Sequence, residues 1–175
     1  HEITYLSGTD DDVTGMPSGE SQVLEGTTKT VSDATPERYG YIFNGWKTED
    51  VTVTDGSFTM PDTNVVFTAQ WTKNENLWHK VTFKARKNGA IETGDKTEFE
   101  DILHGTKWSE AGITVPDTIA DFGYVFDKWE PNIPNGNTAI EKDLTYKATF
   151  KKDTRKLHEI TYLSGTDDDV TGMPS

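Results

Sequence analysis

GYIFNGW, residues 40 to 46, returns as GYVFDKW at residues 123 to 129. Each copy is a glycine followed by aromatic and β-branched residues. Tyr41, Phe43 and, after a two-residue shift, Trp46 carry the apolar side chains. That composition and spacing predict a half-buried β-strand entered through a turn whose glycine takes a backbone angle closed to other residues. Trp46 and Trp129, as the largest apolar groups in the two copies, are expected in cores.

The echo extends in both directions. Ile3-Thr4-Tyr5, Leu24-Glu25-Gly26-Thr27 and Val65-Val66-Phe67-Thr68-Ala69-Gln70-Trp71 are answered, in the same order, by Val81-Thr82-Phe83, Leu103-His104-Gly105-Thr106 and Leu144-Thr145-Tyr146-Lys147-Ala148-Thr149-Phe150. The offsets of 78, 79, 83 and 79 differ only by small loop insertions. Val65, Phe67, Ala69 and Trp71 alternate with polar neighbours, the period of a strand with one wet face. We therefore expect two small, related, mainly β domains in tandem, unit A over residues 1–73 and unit B over 78–152, joined by a linker of a few residues. The chain also closes on HEITYLSGTDDDVTGMPS, residues 158–175, which repeats residues 1–18 letter for letter and reads as the start of the next copy of unit A.

Helix signals are sparse. The best is TEFEDIL, Thr97 to Leu103, where a Thr cap is followed three residues on by Glu100 and the run ends before His104-Gly105. A short helix or a loop crossover is expected there.

Hydrophobic residues make up only 33% of the chain, yet five Trp, six Tyr and eight Phe supply large anchors, each able to remove roughly 150 to 250 Å² from water. With no cysteine there is neither a disulfide framework nor a thiolate metal site nor a Cys nucleophile. No apolar run reaches the roughly 20 residues of a membrane helix, so no membrane insertion by this segment is expected. The net charge of −13 is uneven. Residues 1–73 hold 12 acids and 4 bases, residues 74–157 hold 14 and 13, and the tail holds 4 acids and no base. Lys151, Lys152, Arg155 and Lys156 cluster at the end of unit B, opposite acidic neighbours in sequence. An overall acidic chain repels a phosphate backbone, so no nucleic acid partner is expected.

These motifs carry a family likeness. ITYLSG, GYIFNGW and FTMPDTNVVFTAQW resemble the Listeria–Bacteroides repeat, or internalin B-repeat, of Gram-positive surface proteins, and the match covers nearly all of unit A. Unit B is similar but diverged, with Lys128 in place of a glycine and ATF in place of AQW. SGT followed by MP also resembles the streptococcal SHIRT repeat. The resemblance implies β-grasp-like domains, mainly antiparallel sheets over a short helix or loop, strung as beads on an extracellular, cell-wall protein. Adjacent copies of the same repeat are the implied partners, and no catalytic residues are implied.

Signatures of catalysis and ligand binding are few. Gly89 to Thr97 approaches a phosphate loop, but Asp95 stands between Gly94 and Lys96, breaking the spacing and placing a negative charge where phosphate would lie. No histidine has a second histidine four residues on, and no serine sits in a nucleophile elbow. No enzyme and no cofactor are expected. Asp10, Asp11 and Asp12 offer hard oxygens suited to calcium, against the reading of a solvated hairpin tip. Trp78 and Trp108 are candidates for exposed faces that stack on a host glycan or mucin, with Trp78, at the A–B boundary, read first as an inter-unit packing residue. Ile160 and Tyr162, on the repeated first strand, would mark a strand donated to a neighbour in a non-covalent head-to-tail filament. Lys–Asn cross-links, which need a buried lysine, are a further possibility left open. The leading function is a non-enzymatic surface stalk or fibre giving reach and mechanical continuity. The alternatives are a glycan-binding adhesin module and the strand-donating filament.

Overall fold

The computed structural model describes residues 1–155 and 160. Fifteen strands follow one another: β1 (Ile3–Leu6), β2 (Val13–Thr14), β3 (Thr28–Thr30), β4 (Glu37–Arg38), β5 (Tyr41–Lys47), β6 (Ser57–Thr59), β7 (Val65–Lys73), β8 (Trp78–Ala85), β9 (Gly89–Ile91), β10 (Glu98–Leu103), β11 (Thr106–Lys107), β12 (Thr118–Ala120), β13 (Tyr124–Glu130), β14 (Ala139–Ile140) and β15 (Leu144–Lys152). Helical structure among the described residues is limited to two single 3-10 turns, Glu75–Leu77 and Trp108–Glu110.

Two sheets dominate, in the order β1-β7-β5 and β10-β8-β15-β13. Each is mixed. The first and last strands of a unit lie side by side and parallel, Ile3 opposite Val65 and Val81 opposite Leu144, while β5 and β13 add antiparallel edges. Most strand pairings are antiparallel, as expected, but the central pairing of both units is parallel. The reason is topological: a unit's first and last strands, brought together across all the chain between them, run in the same direction.

The parallel pair is locked by rings. In unit A, Tyr5 on β1 stacks on Phe67 of β7 with centroids 5.3 Å apart, and Trp46 of β5 meets Tyr5 edge-on at 4.9 Å. In unit B the stack is Phe83 on Tyr146 at 5.6 Å, with Trp129 edge-on to Phe83 at 5.2 Å. The tyrosine and phenylalanine have traded strands, and the geometry has survived. Burial pushes the Tyr146 phenol up from its ordinary value. Around the first triplet lie Ile3, Val23, Phe58, Met60 and Val65, and around the second Val81, Phe99, Ile102, Trp108 and Ile140, so each unit has its own core.

The segment expected to be helical, Thr97 to Leu103, contains strand β10 instead. Phe99 and Ile102 are three apart, as on a helix face, but a bulge between them, with Asp101 at φ +57°, turns both into the core of a strand. Unit A keeps a remnant of the same feature. Gln22, the counterpart of Asp101, has φ +60°, and Ile3 exchanges two backbone hydrogen bonds with Glu20, the counterpart of Phe99.

Two separate cores of this size make each unit sensitive to a single deletion. Phe67→Ala should cost unit A about 3–5 kcal/mol, enough to unfold a small unit. Amide exchange over Val65–Ala69 should then approach the unfolded rate while Leu144–Ala148 stays protected.

Candidate functional site at the junction of the two units

Gly40 closes the turn between β4 and β5 with φ +83°, in the region that an L side chain enters at a cost. The turn aims its carbonyl at the start of unit B. There it accepts from the Asn74 amide at 2.9 Å and from the Trp78 indole Nε1–H at 2.8 Å. The Asn74 side chain caps the 3-10 turn Glu75–Leu77 by accepting from the Asn76 amide, which sets the four-residue path into β8. Space over Gly40 is full: a β-carbon would lie 2.6 Å from Leu103 Cδ1 and 3.4 Å from Trp78 Nε1.

Further contacts cross the same boundary. Tyr41 meets Trp78 edge-on at 5.6 Å, and the Tyr39 hydroxyl donates to the His104 carbonyl at 3.1 Å. Lys73, at the end of β7, pairs with Asp101 on the β10 bulge, and its ammonium lies 4.6 Å from the Trp78 ring centroid. The Asp101 hydrogen bond holds the Lys73 pKa above its ordinary value. Behind this seam His79 Nε2 and His104 Nδ1 are 3.0 Å apart, and the His104 amide donates to the Leu77 carbonyl at 2.8 Å. On the unit A side Arg38 lies 3.4 Å from the Tyr41 centroid and donates from Nε to Asp11 at 2.8 Å. An open depression of about 730 Å³ runs along this edge, walled by Asp12, Arg38, Tyr41 and Leu77.

The residues singled out in the sequence fall into three groups. Trp78 is at the seam, half-buried, with its N–H used. Trp108 is not an exposed sugar platform: it is 8% exposed, inside the unit B core and edge-on to Tyr146, because the 3-10 turn that begins with it folds its ring inward. Asp11 spends a carboxylate oxygen on Arg38, and no group of three or more Asp, Glu and His able to hold a metal forms among the described residues. Ile160 is exposed, and Tyr162 lies outside the described residues. No lysine is buried among the described residues, where Thr82 is the one buried polar side chain, so they offer no site for a Lys–Asn cross-link. Sequence reasoning missed Tyr39, Leu103 and the Gly40 carbonyl. The glycine before the aromatic strand was the available signal, and it marked a turn without revealing what the turn would touch.

Comparison with known proteins places the first unit. Residues 1–75 match the family model of the divergent InlB B-repeat domain. That stretch is similar to a divergent InlB B-repeat. The resemblance read from ITYLSG, GYIFNGW and the closing strand holds there, and the repeat's aromatic triplet and parallel terminal strands recur in residues 81–146. Among solved structures the chain is similar to Streptococcal High Identity Repeats in Tandem (SHIRT) domains 3-4 from a cell surface protein, at 14% identity over 87% of this chain and 98% of that one, with a TM-score of 0.46. No curated protein matches the chain.

Two substitutions separate backbone strain from contact at the seam. Gly123 has the same φ of +83° as Gly40, but no described residue within 4 Å of the place a β-carbon would take. Gly123→Ala should therefore cost about 1–2 kcal/mol from conformation alone, and Gly40→Ala clearly more, in denaturant titrations of the whole chain. Trp78→Phe, which keeps a ring and deletes the N–H, should cost about 1 kcal/mol.

The far edge of unit B has one perturbed acid. Hydrogen bonds from the Arg155 side chain, then its backbone, hold Asp153 down to about 2. A depressed carboxyl contributes above its unfolded value and loses that contribution as pH falls through its folded one. The pairing should thus persist from neutral pH past 4 and loosen only near 2, as a carbon-13 titration of the Asp153 carboxyl would read.

Proposed function

We propose that this chain is a section of a bacterial cell-surface stalk or fibre. In this reading 1–73 and 78–152 are successive beads, a third begins at 158, and the work is reach and mechanical continuity rather than catalysis. The observation that carries it is the parallel pairing of each unit's terminal strands. The chain enters unit A at the start of β1 and leaves at the end of β7, its parallel neighbour. Tension on the two ends pulls these strands past one another, so their hydrogen bonds are loaded together rather than one at a time. Unit B repeats the arrangement with β8 and β15. The InlB B-repeat match over residues 1–75 favours a surface location for the same chain. A glycan- or mucin-binding role loses the two tryptophans that the sequence offered for it, since Trp108 is in a core and Trp78 is engaged at the seam.

Single-molecule pulling on the chain tests the reading. Ile3 spends its N–H and carbonyl on Glu20, so the alternation of a strand turns those of Thr4 toward β7. Thr4→Pro removes one donor from the sheared ladder. Two unfolding events are expected, and the variant should lower the force of the unit A event while leaving the unit B event where it was. An unchanged unit A force would exclude the terminal-strand pair as the element that bears load.

A further inference from the structure

Each unit ends in an edge built to receive the next, and among the described residues only the first of the two edges is filled. Gly40 and Gly123 are counterparts with the same φ, and each carbonyl accepts from the residue just past the last strand, Asn74 at 2.9 Å and Asp153 at 2.9 Å. Tyr41 lies opposite Lys73 in the register of one sheet, and Tyr124 opposite Lys152 in the other. At Gly40 the place above the glycine is taken by Leu103 and Trp78, and Tyr39 reaches His104. At Gly123 no described residue lies within 4 Å of where a β-carbon would be, and Phe122, which stands where Tyr39 stands, is 88% exposed. Lys152, the counterpart of Lys73, has no ion-pair partner among the described residues.

The missing half is at the other end of the molecule. Leu24 is the counterpart of Leu103, follows the same left-handed bulge, and is 77% exposed. The chain length fits as well. Val81, the first core residue of unit B, comes seven positions after Asn74, and Ile160, the copy of Ile3, comes seven positions after Asp153. Leu157 stands in that linker where Trp78 stands in the first. The charges are complementary, a basic end of unit B facing an acidic unit A.

We propose that the unit A beginning at His158 docks on unit B as unit B docks on unit A, its own Leu24 equivalent seated over Gly123 and against Phe122. This rests on the tandem-stalk reading and adds the second of its two joints. The joints differ in kind. The A–B seam has an indole N–H, a tyrosine hydroxyl and a Lys–Asp pair, whereas the B–A seam would have Phe122, and Lys152 facing Gln22 of the new unit.

The test is a chain in which residues 1–157 are followed by a complete second copy, 1–175, so that one Leu24 has a unit B before it and the other has none. Leu24→Ser in the second copy should speed amide exchange at Asp153 of the first copy on the order of tenfold, and Leu24→Ser in the first copy should leave that amide unchanged. Phe122→Ser in the first copy should have the same effect and be non-additive with second-copy Leu24→Ser. Equal effects from the two Leu24 positions, or additive effects of the pair, would overturn the joint. Because the pulling experiment on unit A reads β1 and β7 alone, a failed joint with an intact shear result leaves the stalk reading standing, and a lost shear result with an intact joint does the reverse.

Discussion

Everything in this chain hangs on a pair of parallel strands held by two stacked aromatic rings. β1 and β7 meet through Tyr5 on Phe67, and β8 and β15 meet through Phe83 on Tyr146. A parallel pair cannot be closed by a tight hairpin, so the intervening chain must leave and return. The remaining strands and the small ribbons β2–β4, β3–β6, β9–β12 and β11–β14 are formed on that excursion. The tryptophan of the third sheet strand then seals the stack edge-on in both units. Trp46 does so with no hydrogen-bond partner for its Nε1–H among the described residues.

The same topology places the ends of each unit where a neighbour must be met. A first and a last strand that run together deliver the incoming and outgoing chain to opposite ends of the pair. The glycine turn before β5 sits beside the exit from β7, and its carbonyl is the natural acceptor for whatever follows. In unit A that acceptor serves two donors at once, which ties the orientation of β8 to the turn of the preceding unit. The two histidines brought together there bond each other, and His79 also lies 3.8 Å from Asp143.

Much of the fold was legible because strand alternation and aromatic spacing survive divergence. Val65, Phe67 and Ala69 alternate inward as expected, Trp46 and Trp129 reach the cores, and Gly40 and Gly123 take the backbone angle their position suggested. The helix expected at Thr97–Leu103 shows where local pattern stops being sufficient. A three-residue apolar spacing is shared by a helix face and a bulged strand, and only the presence of β8 alongside, ready to accept the bulge, decides between them. Trp108 illustrates the same limit, since an aromatic in a polar stretch has no local mark of which way its turn will face.

What the sequence by itself determined is the repeat, the strand character, the location of the large anchors and the absence of cysteine chemistry, because these depend on residue type and period alone. What only the tertiary structure decided is the direction of the central strand pair, the inward turn of Trp108 and the identity of the seam residues. Each of these depends on contacts between residues distant along the chain, such as Tyr39 with His104 and Gly40 with Trp78, whose energies no local pattern encodes.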